Sequence, residues 1–233
     1  MKSILYYTEN RLDPIIMNTV QNQILKSGLP ITSVSLKPMD FGDNYVVDLE
    51  PGAVTMTRQI LIGLEQSKAD VVFLTEHDVL YHQSHYDFTP PRNDTYYFNT
   101  NVWRWWYLND HFITYDNLVS LSGLCANREL LLNHYQKRLE MIEENGWGNG
   151  RDPDWARTIG HAPGKSRKSG GILDEKVSQW RSEYPNIDIR HGKTATGAKV
   201  RLNNFYRPPI NWQEAKFSDI PEWDLKEMFQ LCD

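Results

Sequence analysis

The sequence predicts one α/β domain with a mixed, mostly parallel central sheet flanked by helices. Three observations predict it. Strand-length apolar runs alternate with four-residue helical stripes through residues 1–78: Ile4-Leu5-Tyr6-Tyr7, then Ile16, Val20 and Ile24, then residues 31–36, then Met56, Ile60 and Leu64, then Val71-Val72-Phe73-Leu74. The last of these runs has no polar side, as expected of a strand covered on both faces in a parallel sheet. Finally, 233 residues can bury one sizeable core, and 40% hydrophobic with 24% charged residues excludes a largely disordered chain.

Residues 4–7 are the expected first strand. Asp13-Pro14 starts a helix, because Asp accepts from the free first-turn amides and proline lacks an amide where none is needed. Gly28 and Pro30 stop it. Residues 31–36 form the next strand, a loop rich in Asp and Gly follows, and the helix marked by Met56, Ile60 and Leu64 leads through Lys68 to the strand ending at Asp78. This β-α-β-loop-α-β order implies right-handed crossovers. Residues 96–106 are dense in aromatics, and residues 115–126 offer two further short strands with Gly123 between them. Asn127 caps a helix whose stripe is Leu131, Tyr135, Leu139 and Ile142, ending at Asn145-Gly146. Residues 146–171 form a polar insert with seven of the 14 glycines and the cations Arg151, Arg157, Lys165, Arg167 and Lys168, expected as a mobile loop. A helix over 173–180, a strand over 187–190 and an irregular tail complete the expectation.

Met1-Lys2-Ser3 and the short apolar run after it do not make a signal peptide, and no run is long enough to span a bilayer, so the expected location is cytoplasmic. Cys125 and Cys232 are too few for a disulfide framework or a cysteine-rich zinc site. A net charge of -5 opposes nonspecific attraction to nucleic acid, although a local basic loop can still bind it. Eight Trp supply rings that either pack the core or line a sugar or base site.

Glu76-His77-Asp78 is the most informative motif. It lies at the carboxyl end of an interior strand, where open α/β sheets collect ligands. Alternation sends residues 76 and 78 one way and His77 the other, so two hard oxygens suit Mg²⁺ or Mn²⁺ carrying a diphosphate. They serve equally well to begin a turn. His77, His82 and His85 with Asp78 offer a rival reading, a metal-dependent hydrolase, which the same alternation weakens.

Tyr7-Thr8-Glu9-Asn10 at the first strand tip, Arg58 on a helix, Glu76-His77-Asp78, Asp174-Glu175, and Asp188-Ile189-Arg190-His191-Gly192 occur in an order that resembles nucleotide-sugar glycosyltransferases of the GT-A (Rossmann-like) fold, family 2-like group. The likeness covers about residues 3 to 195. Glu76 replaces the Asp usual at the start of that family's Asp-x-Asp motif. The resemblance implies a nucleotide-sugar-binding half over 1–95, an acceptor half over 96–195 and a tail over 196–233 in one domain. It implies that Thr8, Asn10 and Arg58 approach the donor nucleotide, for example UDP. Asp78 and His191 would ligate Mn²⁺ or Mg²⁺, with Glu76 a further ligand or a contact to the ribose. Asp174 or Glu175 would be the catalytic base, although both also suit a helix N-terminus electrostatically.

Lys165, in the basic stretch 164–171, would close over the donor diphosphate or grip nucleic-acid phosphates. Trp103 and Trp105 would stack on an acceptor ring, a role that competes with core packing. With Asn99-Thr100-Asn101-Val102-Trp103, the motifs are similar to small bacteriophage glycosyltransferases, some of which modify hydroxymethylpyrimidines in DNA. That similarity implies a hydroxymethylated DNA acceptor, no membrane partner, and action in the host cytoplasm. A noncatalytic nucleotide- or carbohydrate-binding module is the alternative from another class.

Overall fold

The computed structural model describes residues 1–148, 153–157, 159–164, 176–192 and 199–231. In chain order the elements are β1 (Lys2–Thr8), α1 (Pro14–Leu25), β2 (Ile31–Ser35), β3 (Asp43–Val46), α2 (Ala53–Gln66), β4 (Val71–Glu76), β5 (Val79–Leu80) and α3 (Gln83–Asp87). There follow β6 (Tyr96–Asn99), β7 (Val102–Trp106), β8 (Phe112–Thr114), β9 (Leu124–Asn127), α4 (Arg128–Asn145), β10 (Val177–Trp180), β11 (Asn186–Arg190), β12 (Gln213–Ala215) and α5 (Leu225–Met228).

Among the described residues the strands form two sheets, ordered β10-β6-β9-β4-β1-β2-β3 and β12-β8-β7-β11-β5. The larger is the expected mixed, mostly parallel sheet: β1 pairs in parallel with β2 and β4, β2 with β3, and β10 with β6, while β9 runs antiparallel to β4 and β6. Strand alternation divides its core. Ile4, Tyr6 and Phe73 face α1 and the second sheet, whereas Leu5, Tyr7, Val72 and Leu74 face α2 and α4. Each such side chain contributes about 1.5–3 kcal/mol when fully buried.

Local chemistry fixes the helices as expected. Asp13 accepts from the Ile15 amide at 2.8 Å, and Asn127 accepts from the Glu129 and Leu130 amides. Helix α2 approaches β1 through Gly63, where a Cβ would stand 2.8 Å from the Leu5 side chain. Glycine is needed there for space.

Several expectations require correction. Val177–Trp180, expected within a helix, is strand β10: its backbone pairs with β6 and Trp180 stacks on Phe88 at 4.3 Å. Eight residues are too few to hold an isolated helix against those gains; residues 173–175 of that expected helix lie outside the described residues. Only one strand, β9, forms within 115–126, because Leu121–Gly123 makes a 3₁₀ turn and Gly123 lies against the Asn99 backbone. Strand β3 falls in the expected loop, since its exposed, polar edge sequence carries no alternating signal. The tail is not merely irregular: Ile220, Trp223, Leu225 and Phe229 bury themselves in the core shared with the second sheet. No helix among the described residues is long and apolar enough to cross a membrane.

Candidate active site

Strand β4 ends at Glu76, and residues 77 and 78 turn the chain into β5. β5 then pairs antiparallel with β11, Asp188 opposite Val79, and the Ile189 amide donates to the Asp78 carbonyl at 2.9 Å. That register carries His191, just beyond β11, onto Asp78: His191 Nε2 stands 3.4 Å from Asp78 Oδ2, and both side chains are largely enclosed. Two sequence-distant residues thus meet at the tip of an interior strand.

Glu76 faces elsewhere. Its Oε1 accepts from the Tyr7 hydroxyl at 2.9 Å, as expected for residues paired across parallel strands. Burial, then the neighbouring charge of Asp78, raises the Glu76 pKa above the usual carboxylate range. For Asp78 burial opposes ionisation, but the His191 hydrogen bond and the charges of His77, His191 and Arg190 outweigh it and lower its pKa. One carboxyl of the motif therefore favours its proton and the other its charge, a split that strand alternation did not foretell because the strand ends between them.

Thr8 and Asn10 sit at the adjacent tip of β1. Thr8 Oγ1 accepts from the Asn10 amide at 3.0 Å and pairs with His77 Nδ1 at 2.8 Å. Asn10, with a positive φ of 57°, accepts from the Leu36 and Lys37 amides through Oδ1 and so ties β1 to the end of β2. Arg58 lies on α2, half-buried. Asp174, Glu175 and Lys165 lie outside the described residues.

Trp105 is corrected: it is fully buried among Phe112, Phe217 and Phe229, with its indole N–H donating to the Asn109 carbonyl at 2.8 Å. An acceptor cannot reach it. Trp103, two residues earlier on the same strand, is half-buried and packs against the same core. The three-histidine cluster of the hydrolase reading does not form. His77 is taken by Thr8, His82 Nδ1 pairs with Ser84, and His85 is fully buried, accepting at Nδ1 from Asn99 and Asn186.

Sequence reasoning gave no role to Arg104, Asp188 or Arg190. Asp188 Oδ2 accepts from Arg190 Nη2 and from Arg104 Nε, the latter at 3.4 Å, and all three side chains are buried or nearly so. The signal was available, since Asn186-Ile187-Asp188-Ile189-Arg190 alternates and places Asp188 and Arg190 on one face.

Among the described residues, no three His, Cys, Asp or Glu side chains are grouped to hold a metal ion by themselves. Asp78 and His191 do fit as two neighbouring ligands. Their 3.4 Å separation is close to the roughly 3 Å expected between adjacent ligands at about 2.1 Å from one ion, and the acid favours its charged form. Mg²⁺ commonly takes one or two protein ligands and completes its shell with substrate phosphates and water.

No family model matches the chain, and no curated protein matches it. Some solved structures are similar in shape. A glycosyltransferase involved in the glycosylation of the major capsid of PBCV-1 aligns over 83% of this chain and 94% of its own, at 8% identity and a TM-score of 0.49. The glycosyltransferase GlyE of Streptococcus pneumoniae TIGR4 aligns over 78% of this chain at 9% identity and a TM-score of 0.44; the match spans 46% of that protein's chain. A Drosophila β-1,4-galactosyltransferase 7 in complex with manganese, UDP-Gal and xylobiose aligns over 100% of this chain and 80% of its own, at 15% identity and a TM-score of 0.39.

Proposed function

We propose that this chain is a glycosyltransferase of GT-A type that moves a sugar from a nucleotide-sugar donor to an acceptor hydroxyl. The observation that carries the reading is the meeting of Asp78 and His191 at the carboxyl end of β4, in the crevice where α/β sheets bind nucleotides. Asp78 and His191 would hold Mn²⁺ or Mg²⁺, which when bound offsets the charge that gathers on a leaving diphosphate. Thr8 and Asn10, at the tip of β1 beside β4, and Arg58 on α2 would contact the donor nucleotide. Glu76 would contact the ribose: its Oε1 accepts from the Tyr7 hydroxyl, and a carboxylic acid that keeps its proton can donate a hydrogen bond to a sugar hydroxyl.

For transfer with inversion, Asp174 or Glu175 takes the acceptor hydroxyl's proton as its oxygen attacks the anomeric carbon. Lys165 would bind the donor phosphates, and Trp103 would stack on the acceptor. The acceptor to test first is a hydroxymethylated pyrimidine in DNA, on the strength of the motif similarity to bacteriophage enzymes. A noncatalytic binding module shares the crevice and differs only in lacking turnover.

The deciding experiment is a thermal-shift panel of nucleoside diphosphates with and without Mn²⁺, followed by donor turnover with the base that binds. Metal-dependent stabilisation and release of nucleoside diphosphate are expected. Absence of binding across the panel rejects the reading, and binding without turnover on any acceptor selects the module.

A further inference from the structure

Residues 199–212 carry Lys199, Arg201 and Arg207 and no acid, in a chain whose net charge is -5. Interleaved with these cations are Leu202, Phe205, Tyr206, Ile210 and Trp212. Part of this apolar set has a structural use. Phe205 meets Tyr115 and Trp212 edge-on, with ring centres 5.4 Å and 5.6 Å apart, and Tyr115 lies parallel to Trp212 at 6.1 Å. These half-buried rings fasten the segment to the second sheet. The others stand in solvent: Tyr206 is 99% exposed, Ile210 71% and Leu202 43%.

The exposed side chains share one region of the surface. The Val200 carbonyl accepts from His111 Nε2 at 2.8 Å, and the Ile210 carbonyl accepts from the Asp116 amide at 3.0 Å. His111 and Asp116 flank β8, and an extended chain separates residues five apart by at most about 17 Å. Residues 200–210 could reach about twice as far, so they double back over that span. Two acids touch the segment at its other end, where Asp116 accepts from Asn211 Nδ2 at 2.7 Å and Glu214 from Trp212 Nε1 at 2.9 Å. Neither pairs with one of the three cations.

Charge and apolar exposure together select the occupant. A single-stranded nucleic acid rewards the cations and an open ring, but it gives exposed Leu and Ile side chains nothing to pack on. The boundary of an anionic bilayer rewards all of them. Its headgroups attract Lys and Arg, aliphatic side chains enter the acyl boundary, and Tyr sits between with its hydroxyl in water.

We infer that residues 199–212 form a docking surface for an anionic lipid bilayer, with Lys199, Arg201 and Arg207 meeting the headgroups and Leu202, Tyr206 and Ile210 entering the interface. The contact is made by side chains at the membrane surface and needs no spanning helix. It departs from the lack of a membrane partner that the bacteriophage similarity implies, and it is independent of the nucleotide-sugar reading. The Trp106 amide donates to the His111 carbonyl, and Trp106 lies opposite Arg190 in the β7–β11 register. The docked segment therefore begins at the end of the sheet that leads to His191.

Co-sedimentation of the full chain with vesicles tests this, using phosphatidylcholine alone and phosphatidylcholine mixed with phosphatidylserine. Binding is expected to the mixed vesicles, with little to phosphatidylcholine alone, and it should weaken as salt is raised. Arg201→Gln and Arg207→Gln should each weaken it about fivefold, the scale of one cation near an anionic surface. Tyr206→Ser combined with Ile210→Ser should weaken it about tenfold or more while leaving the salt dependence in place. All four side chains are exposed, so the variants should keep the wild-type unfolding midpoint. No binding to the mixed vesicles, equal binding to both kinds, or binding that these variants leave unchanged overturns the inference. So does a single-stranded oligonucleotide that binds the chain through Arg201 and Arg207 and is indifferent to the loss of Ile210, because the surface would then serve nucleic acid.

Discussion

His191 contacts Asp78 because β11 returns antiparallel to β5, so the end of one strand falls beside the turn before the other. Neither residue is needed to hold that turn through its side chain, since the Ile189 amide and the Asp78 carbonyl already bond. Asp78→Asn and His191→Ala should therefore fold. Each should slow nucleotide-sugar turnover by about a hundredfold or more, the scale of losing one group that stabilises developing charge. Initial rates across a Mn²⁺ titration check this, and a variant with wild-type rate and metal dependence would show that the pair holds no ion.

A second prediction concerns acid. His85 Nδ1 accepts from the Asn99 amide at 3.0 Å and from the Asn186 amide at 3.1 Å. Asn99 is oriented by two backbone amides on its Oδ1, from Asn101 and Ser182, and Asn186 by one, from His82, so both side-chain amides must donate to the ring. The ring is therefore neutral, with its proton on Nε2. Burial lowers its pKa to about 3, and burial likewise lowers that of His134 to about 4. Both groups follow the same sign: above their unfolded value of about 6.5 neither state is protonated and stability is unaffected. As pH falls below that value the unfolded chain gains protons the folded chain refuses, so stability drops until the folded values are reached. Urea unfolding between about pH 7 and about pH 4.5 should show this loss, and His85→Gln should flatten the slope. An unchanged slope in that variant would mean His85 does not remain neutral in the fold.

The first half of the fold was legible because its signals are local. Asp13 and Asn127 cap the helices their sequence positions imply, and the apolar run at Val71 is the interior strand it looks like. What escaped were pairings that only tertiary structure decides. Val177–Trp180 became a strand because β6 was there to receive it. For Trp105 the sequence leaves acceptor stacking and core packing both open, and it predicts an irregular tail, yet Trp105 and the tail are core material for each other. At the site, the candidates Asp78 and His191 were legible from motif order, whereas Arg104 with Asp188 was not, because a cross-strand ion pair requires knowing the register. The opposite behaviour of Glu76 and Asp78 was hidden by the turn that interrupts alternation.

Asn127 gives a third prediction. Its side chain satisfies two free amides at the start of α4, the helix that packs against α2 behind β1 and β4. Asn127→Ala should cost about 1 kcal/mol, and Asn127→Asp should cost little because Asp caps equally well. Chemical denaturation compares them; similar losses for both would mean that the cap contributes nothing.

Arg138 carries the last prediction. It is fully buried on α4, where a charge is tolerated only with many partners. Its guanidinium donates to the Ile159 carbonyl and to Thr57 Oγ1, approaches His161 Nδ1 at 3.4 Å, and lies 5.0 Å and 5.6 Å from the ring centres of Trp147 and Trp155. Those partners come from α2 and from described residues after α4, so one side chain clasps Trp147, Trp155, Ile159 and His161 to the two helices. Tyr135, whose hydroxyl donates to the His161 carbonyl at 2.7 Å, reinforces the same attachment. Arg138→Met fills much of the volume but leaves these acceptors without their donor, and each contact to a charged group is worth about 1.5–3 kcal/mol. The variant should lose several kcal/mol of stability and, well below its unfolding midpoint, show faster amide exchange in residues 159–164 than in β1 or β4. Exchange that rises equally everywhere would make Arg138 a general core residue, because only a clasp releases its own segment before the sheet.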